Sequence, residues 1–485
     1  MFLKLRQALI QEKIHFFILS LLLVGIVSSK FFLSLGMMLG GLNLLLVADF
    51  KGNFANLKKN RFFIFILLFY LMHLLGMLWT DDSSHGFDDL RVKASLIAIP
   101  LIICSNPIPT ASIIRKLFLL FVLTLLVTSI YNFTIYTLFR ENFELNDIRD
   151  LSRFGSHIRY GILIAIGIPV LIELKSYYPK WKYLFLLAGL WFLFYSYYSQ
   201  VLSGIIAVLI VVFGTLLWKL FNAKKYFWVL GIISIFLVLI SSTILYLMIP
   251  IENKETSPAN YISLKEEWCK RSLIPYDSLD LRKQKLSSTL ERYLHSKNLP
   301  VRGDGVLKLS SKDIHNIELG YADINETKSG LMARLYGVRF QIHNASDPNG
   351  HSILERIEYW KTGGQVIKEN WVFGVGTGDK KIAMEKMYER KNSKLLPERR
   401  LRAHNTYITF CLTFGLFGLV FFCYILFNFL RFQLKNQSLI GFLFICVAII
   451  TFIFEDSLET QMGVSFFAFF FALFSRKIQT EELNT

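Results

Sequence analysis

The sequence predicts an all-α polytopic membrane protein of about twelve transmembrane helices, with one large, mainly helical extramembrane loop between helices nine and ten. Three observations predict it. Charged residues make up 18% of the 485 positions and hydrophobic ones 53%, whereas soluble domains carry about 25% charged residues. The apolar residues gather in runs near the ~20 needed to cross a hydrocarbon core of about 30 Å. Those runs stop for roughly 150 residues in the middle of the chain and then resume, and a gap of that length is far beyond an ordinary helix connection.

The first run follows a basic N-terminus, "MFLKLRQALIQEKIHFF". No small-residue cleavage site separates it from the second, so it reads as a first transmembrane helix and not a removed signal peptide. The twelve segments are 14–29, 31–48, 62–79, 94–106, 117–137, 159–174, 183–199, 201–218, 227–249, 405–429, 438–454 and 460–475. The fourth is short and contains Pro100, which predicts a kinked or partly inserted helix. Basic residues mark alternate loops: Lys4, Arg6 and Lys13, then "KGNFANLKKNR", "KSYYPKWK", "KLFNAKK" and "RFQLKNQ". The intervening loops, such as "DDSSHGFDDLR" and "EDSLE", lack that excess. Both termini are therefore expected in the cytoplasm, with the long loop on the far side. The expected division is a bundle of nine helices (1–250), the loop or lobe (251–403), helices ten to twelve (404–475) and a cytoplasmic tail (476–485).

The long loop is not low in complexity. "SILERIEYWKTGGQVIKEN" repeats Ile353, Ile357 and Trp360 at helical spacing, which predicts a folded lobe. Between 251 and 404 there are 27 Lys and Arg against 20 Asp and Glu, a basic lean that suits anionic headgroups or a phosphorylated ligand, or simply a solvated face. Nucleic acid is not an expected partner for a lobe outside the cytoplasm. The five cysteines offer no disulfide framework or paired metal site. "NASDPNGHS", with Asp347, Asn349 and His351, lacks the ligand spacing of a calcium loop, so no metal and no cofactor is expected.

Charge placement separates two function classes. An ion-coupled transporter needs ionisable groups at mid-depth, and here only His73 lies mid-span, where a hydrogen bond to a neighbouring helix explains it more simply than a relay. Polar residues gather instead at the external ends of spans: Arg149, Arg153, His157 and Arg159; Arg356; Arg399, Arg400, Arg402 and His404; Glu455, Asp456 and Glu459. That distribution favours chemistry or recognition at a headgroup over transport across the bilayer; a non-catalytic receptor built on the lobe is the remaining class.

Three blocks carry the chemistry: "GHSILERIEYWKTGGQVIKENWVFGVGTGD" (350–379), "RAHNTYITFCLTFGLFGLVFF" (402–422) and "FEDSLETQMGVSFFAFFFALF" (454–474). With the many-span bundle and the single large loop, they resemble the O-antigen ligase and O-antigen polymerase superfamily. The resemblance implies an enzyme of the bacterial inner membrane, active on its periplasmic face, that moves a glycan from undecaprenyl pyrophosphate to a hydroxyl of lipid A core, of another glycan or of a protein. It implies O-antigen ligase first, with a polymerase or a protein O-oligosaccharyltransferase as alternatives. Arg356 matches the family's loop arginine and is expected on the pyrophosphate, where a guanidinium fork binds two oxygens at once; the plainer reading is an ion pair with Glu355 or Glu358. His404 matches the essential histidine. A neutral imidazole with pKa near 6.5 can take the proton of an attacking hydroxyl, a displacement that inverts the anomeric carbon. The plainer reading is a residue beside a helix cap formed by Asn405 or Thr406. Asn405, Asp379 and Arg402 are the further expected substrate contacts, with turn capping the alternative for Asp379. "GVGTGD" is followed by no "GK[ST]" and reads as a glycine turn, not a nucleotide loop. One departure stands out: Leu202 occupies the place of an arginine common in relatives, so Arg153 or Arg159 is expected to supply the second cation.

Overall fold

Each of the twelve apolar segments forms a helix in the computed structural model, which describes residues 2–476 apart from 108, 144, 146–147, 251–258, 282–283, 325–330 and 344–347. In order they are Phe2–Ser28, Lys30–Val47, Arg61–Leu75, Ser95–Ser105, Ala111–Leu138, His157–Tyr177, Lys182–Tyr198, Leu202–Asn222, Tyr226–Met248, Thr406–Lys435, Leu439–Phe454 and Gln461–Phe474. Eight are long and apolar enough to cross a membrane. Arg61–Leu75 is among these eight because a 3-10 turn extends it to Trp79; the other four are shorter, and Ser95–Ser105 is the shortest, 11 residues with Pro100 inside. At 1.5 Å per residue it rises about 16 Å, roughly half a hydrocarbon core. It packs against the 14-residue Gln461–Phe474 helix.

The chain forms two compact units. The first comprises 1–232, 360–390 and 401–485; the second comprises 233–359 and 391–400. The segment read from sequence as one lobe, 251–403, is thus divided, because 360–390 is bonded into the helical unit. The core of that unit is mostly aliphatic but carries a cluster of aromatic rings, with Phe429 stacked on Phe471 at 4.1 Å and Phe62 edge-on to Phe429 at 5.2 Å. Such pairs add about 0.5–1.5 kcal/mol each beyond area burial.

What bonds 360–390 into the helical unit is a break in the Thr406–Lys435 helix. The sequence reads as one uninterrupted apolar helix there, but Gly415 has φ 67° and ψ −165°, a region open essentially to glycine alone. The freed carbonyls of Leu412 and Thr413 accept the N–H groups of Val375 (2.9 Å) and Gly376 (3.0 Å), and Leu416 N–H donates to the Trp371 carbonyl at 2.7 Å. A Cβ on Gly415 would overlap the Val372 carbonyl oxygen, and one on Gly374 the Thr413 carbonyl. The "GVGTGD" stretch is therefore a tight turn, as its glycines predict, and it serves as a plug that satisfies an interrupted helix.

The far side of this turn is fastened to the Arg61–Leu75 helix. Thr377 Oγ1 donates to the His73 carbonyl at 2.7 Å. The His73 ring is buried, with Nδ1 2.9 Å from the carbonyl of Phe69 on its own helix, and Phe69, Phe410 and Phe414 surround it.

The second unit has its own core of Leu264, Trp268, Leu290, Tyr293, Val306 and Ile317 on short helices between Ala259 and Glu318. Its polar groups are bonded internally. Trp268 Nε1 donates to the Ile274 carbonyl (2.9 Å), Arg271 to the Leu309 carbonyl (2.7 Å), and Tyr293 to Asp313 (2.8 Å). Asp347 of the loop weighed for calcium lies outside the described residues.

Candidate functional site

The stretch 401–405 is shaped before the helix begins. The Ala403 carbonyl accepts Trp360 Nε1 at 3.0 Å. His404 is half-buried with φ +48°, a left-handed conformation in which His, Asn and Asp are enriched among non-glycine residues. Asn405 is the N-cap, its side-chain oxygen accepting Ile408 N–H at 3.0 Å. The plainer reading from sequence holds for Asn405: it caps the helix. His404 stands one residue outside the cap, off the helical path.

Two hydrogen bonds dock the 455–459 turn onto the first turn of the same helix. Thr406 Oγ1 donates to the Glu455 carbonyl and Thr409 Oγ1 to Asp456 Oδ1, both at 2.8 Å. Arg402 reaches the same turn, its Nε 3.6 Å from Asp456 Oδ2. Burial, and then the charge of Glu459, push the Asp456 carboxyl up to about 6, against the pull of Arg402 and the Thr409 hydroxyl.

Beside this turn lies a narrow cleft. Its walls are apolar, with Val27, Leu163, Phe452, Met462 and Phe467 among them. Arg159, in the first turn of its helix, lines the cleft, and Ser457 links it to the 455–459 turn. Arg159 is also within electrostatic reach of Glu455 and Arg402. Arg153 is placed differently: its guanidinium lies 5.1 Å over the Phe143 ring, and it does not line the cleft.

Arg356 belongs to the second unit. Its flanking glutamates are committed elsewhere, Glu355 to Arg399 (3.0 Å) and Glu358 to Ser393 Oγ (3.1 Å). Arg356 makes no ion pair among the described residues; its Nη1 lies 3.4 Å from the Ser352 carbonyl, and its buried Nε finds no hydrogen bond among them. The ion pair with Glu355 or Glu358 weighed from sequence is absent.

Asp379 is engaged structurally. Its two oxygens accept the backbone N–H groups of Asp81 (2.9 Å) and Asp82 (2.8 Å). This is the capping alternative, and it clamps the glycine turn to the 80–82 loop.

Sequence reasoning missed the cluster that the next residue joins. Lys380 pairs with Glu459 (2.7 Å) and Asp89 (3.1 Å), and Lys93 pairs with Asp89 (2.5 Å) and Glu459 (2.8 Å). Two lysines and two carboxylates cancel in a buried site. Burial alone would raise the Asp89 and Glu459 carboxyls, but the lysines hold both below the usual carboxylate range. The available signals were Asp89 and Lys93 spaced i,i+4 at the edge of an apolar run, and Lys380 directly after the turn. Among the described residues no three His, Cys, Asp or Glu side chains come together as a metal-binding group.

No curated protein matches the chain. A family model described as O-antigen ligase matches residues 183–423, about half of its length. The matched span includes Arg356, the glycine turn, Arg402, His404 and Asn405, together with the break at Gly415. The chain belongs to the O-antigen ligase family of membrane glycan-transferring enzymes.

Proposed function

We propose that this protein transfers a glycan from undecaprenyl pyrophosphate to a hydroxyl acceptor at the periplasmic face of a bacterial inner membrane, as an O-antigen ligase whose acceptor is lipid A core. The observation that carries this reading is the apolar cleft lined by Arg159, beside the stretch that bears Arg402 and His404. An apolar slot with a cation suits a lipid chain that ends in phosphate. An arginine supplies that cation well, because it stays charged and its fork matches phosphate oxygens.

In the reaction, the neutral His404 imidazole takes the proton of the acceptor hydroxyl. The hydroxyl oxygen then bonds to the anomeric carbon as the bond to the pyrophosphate oxygen breaks. The electron pair leaves on the pyrophosphate, and its charge is met by Arg159 and Arg402. Attack on the face opposite the leaving group inverts the anomeric carbon. Arg153 is left outside this set because it lies over Phe143. Asn405 acts through the helix cap that fixes its neighbour His404.

Surface polysaccharide from a strain lacking this gene tests the proposal. A ligase leaves full-length chains on the carrier with none on lipid A. Single repeat units on lipid A indicate a polymerase, and intact polysaccharide with unglycosylated proteins indicates a protein glycosyltransferase. All three products unchanged would contradict glycan transfer altogether.

A further inference from the structure

The neutral four-residue cluster leaves one buried carboxylate over. Asp456 is fully buried; its Oδ1 accepts the Thr409 hydroxyl, and its Oδ2 accepts no hydrogen bond among the described residues. Arg402 Nε stands 3.6 Å from that oxygen, too far for a hydrogen bond but close enough for an ion pair. Arg402 Nη1 lies 3.5 Å from the Glu459 carbonyl, and 42% of the side chain is open to solvent. A buried carboxylate therefore faces the inner edge of a guanidinium whose side chain is otherwise accessible.

We propose that Asp456 is a positioning residue of the phosphate site, seating Arg402 through Nε so that its terminal N–H groups are presented to the pyrophosphate of the lipid carrier. A guanidinium has five N–H groups, and holding the Nε edge, with one Nη1 N–H on the Glu459 carbonyl, leaves three on the two terminal nitrogens for phosphate oxygens. The inference rests on the reading of Arg402 as a phosphate contact. It assigns Asp456 a purpose that burial does not: a lone carboxylate in a dry site is costly unless a cation or hydrogen bonds compensate it.

Titration gives the seat a pH dependence. The charged groups facing Asp456 are Glu459 on its own turn, Arg402 ahead of the Thr406–Lys435 helix and Lys380 after the glycine turn; Glu455 is its chain neighbour. With the carboxyl raised to about 6, it is charged and holds Arg402 at neutral pH. As the pH falls through that value it takes a proton, and the pull on Arg402 is lost.

Binding of inorganic pyrophosphate to the full chain in lipid nanodiscs tests this, at about pH 7.5 and about pH 5, either side of that titration. At the higher pH, Asp456→Asn should bind roughly two- to fivefold more weakly than wild type, the scale of one partly exposed ion pair. At the lower pH the two should bind alike. Asp456→Asn binding as tightly as wild type near pH 7.5, or a gap of the same size near pH 5, overturns the inference. Arg402→Ala separates the two layers. If it binds weakly while Asp456→Asn binds normally, only the seating role fails. If it binds like wild type, Arg402 is no phosphate contact and the seating role falls with that assignment. Should Asp456→Asn not fold, the wild-type and Arg402→Ala titrations decide: their difference must narrow toward pH 5, and a constant difference contradicts the proposal.

Discussion

The Asp89–Lys93–Lys380–Glu459 cluster and the Arg402–His404–Asp456 stretch belong to the same helical unit and meet at one turn, 455–459, yet their charges are arranged in opposite ways. In the first, every charge has an opposite partner within 3.1 Å, and Lys93 is completely buried. In the second, Arg402 is half-open and 3.6 Å from its carboxylate, and His404 is held in a left-handed conformation just outside a helix cap. A closed, neutral cluster holds backbone in place. A looser, partly exposed set is what a charged ligand can enter. The difference separates the scaffold from the candidate chemistry, although the two draw on the same residue types.

Breaking the closed cluster should have the largest effect. Lys93→Met removes one cation and leaves two buried carboxylates sharing Lys380. Removing one partner of a buried ion pair costs about 3–5 kcal/mol, so the variant should lose its cooperative thermal transition or accumulate poorly, as followed by melting in detergent. A variant that melts like wild type would show that the cluster is not the fastening it resembles.

A smaller and more selective effect is expected at the cleft. Arg159→Met keeps the apolar wall but removes its cation. Melting should stay near the wild-type value while the KM for lipid-linked glycan rises roughly tenfold, the worth of one charge-assisted phosphate contact. An unchanged KM would take Arg159 out of the phosphate set and leave Arg402 to carry it.

Much of this was legible in the sequence, for physical reasons that also mark the limits. The apolar runs locate all twelve helices because each run must bury or face lipid along its whole length. The family motif singles out His404, and its place beside a capping Asn405 follows from "HNTY". The break at Gly415 was not legible, since a glycine in an apolar run looks like any close-packing residue until the 371–376 backbone is seen to fill the gap. The ion cluster was hidden for a similar reason: Lys93 and Glu459 lie 366 positions apart, and only the fold brings them within 2.8 Å. Asp379 shows the converse, a motif residue whose two oxygens turn out to hold backbone amides.

The most direct test of the central claim is the rate at which the reconstituted chain discharges polyprenyl pyrophosphate from its lipid-linked glycan in the presence of acceptor, for wild type and His404→Gln. A histidine acting as general base contributes about 10²–10⁴-fold. The variant should therefore melt like wild type and bind the lipid-linked donor normally, yet turn over slower by that factor. A His404→Gln protein that turns over at the wild-type rate would contradict the account.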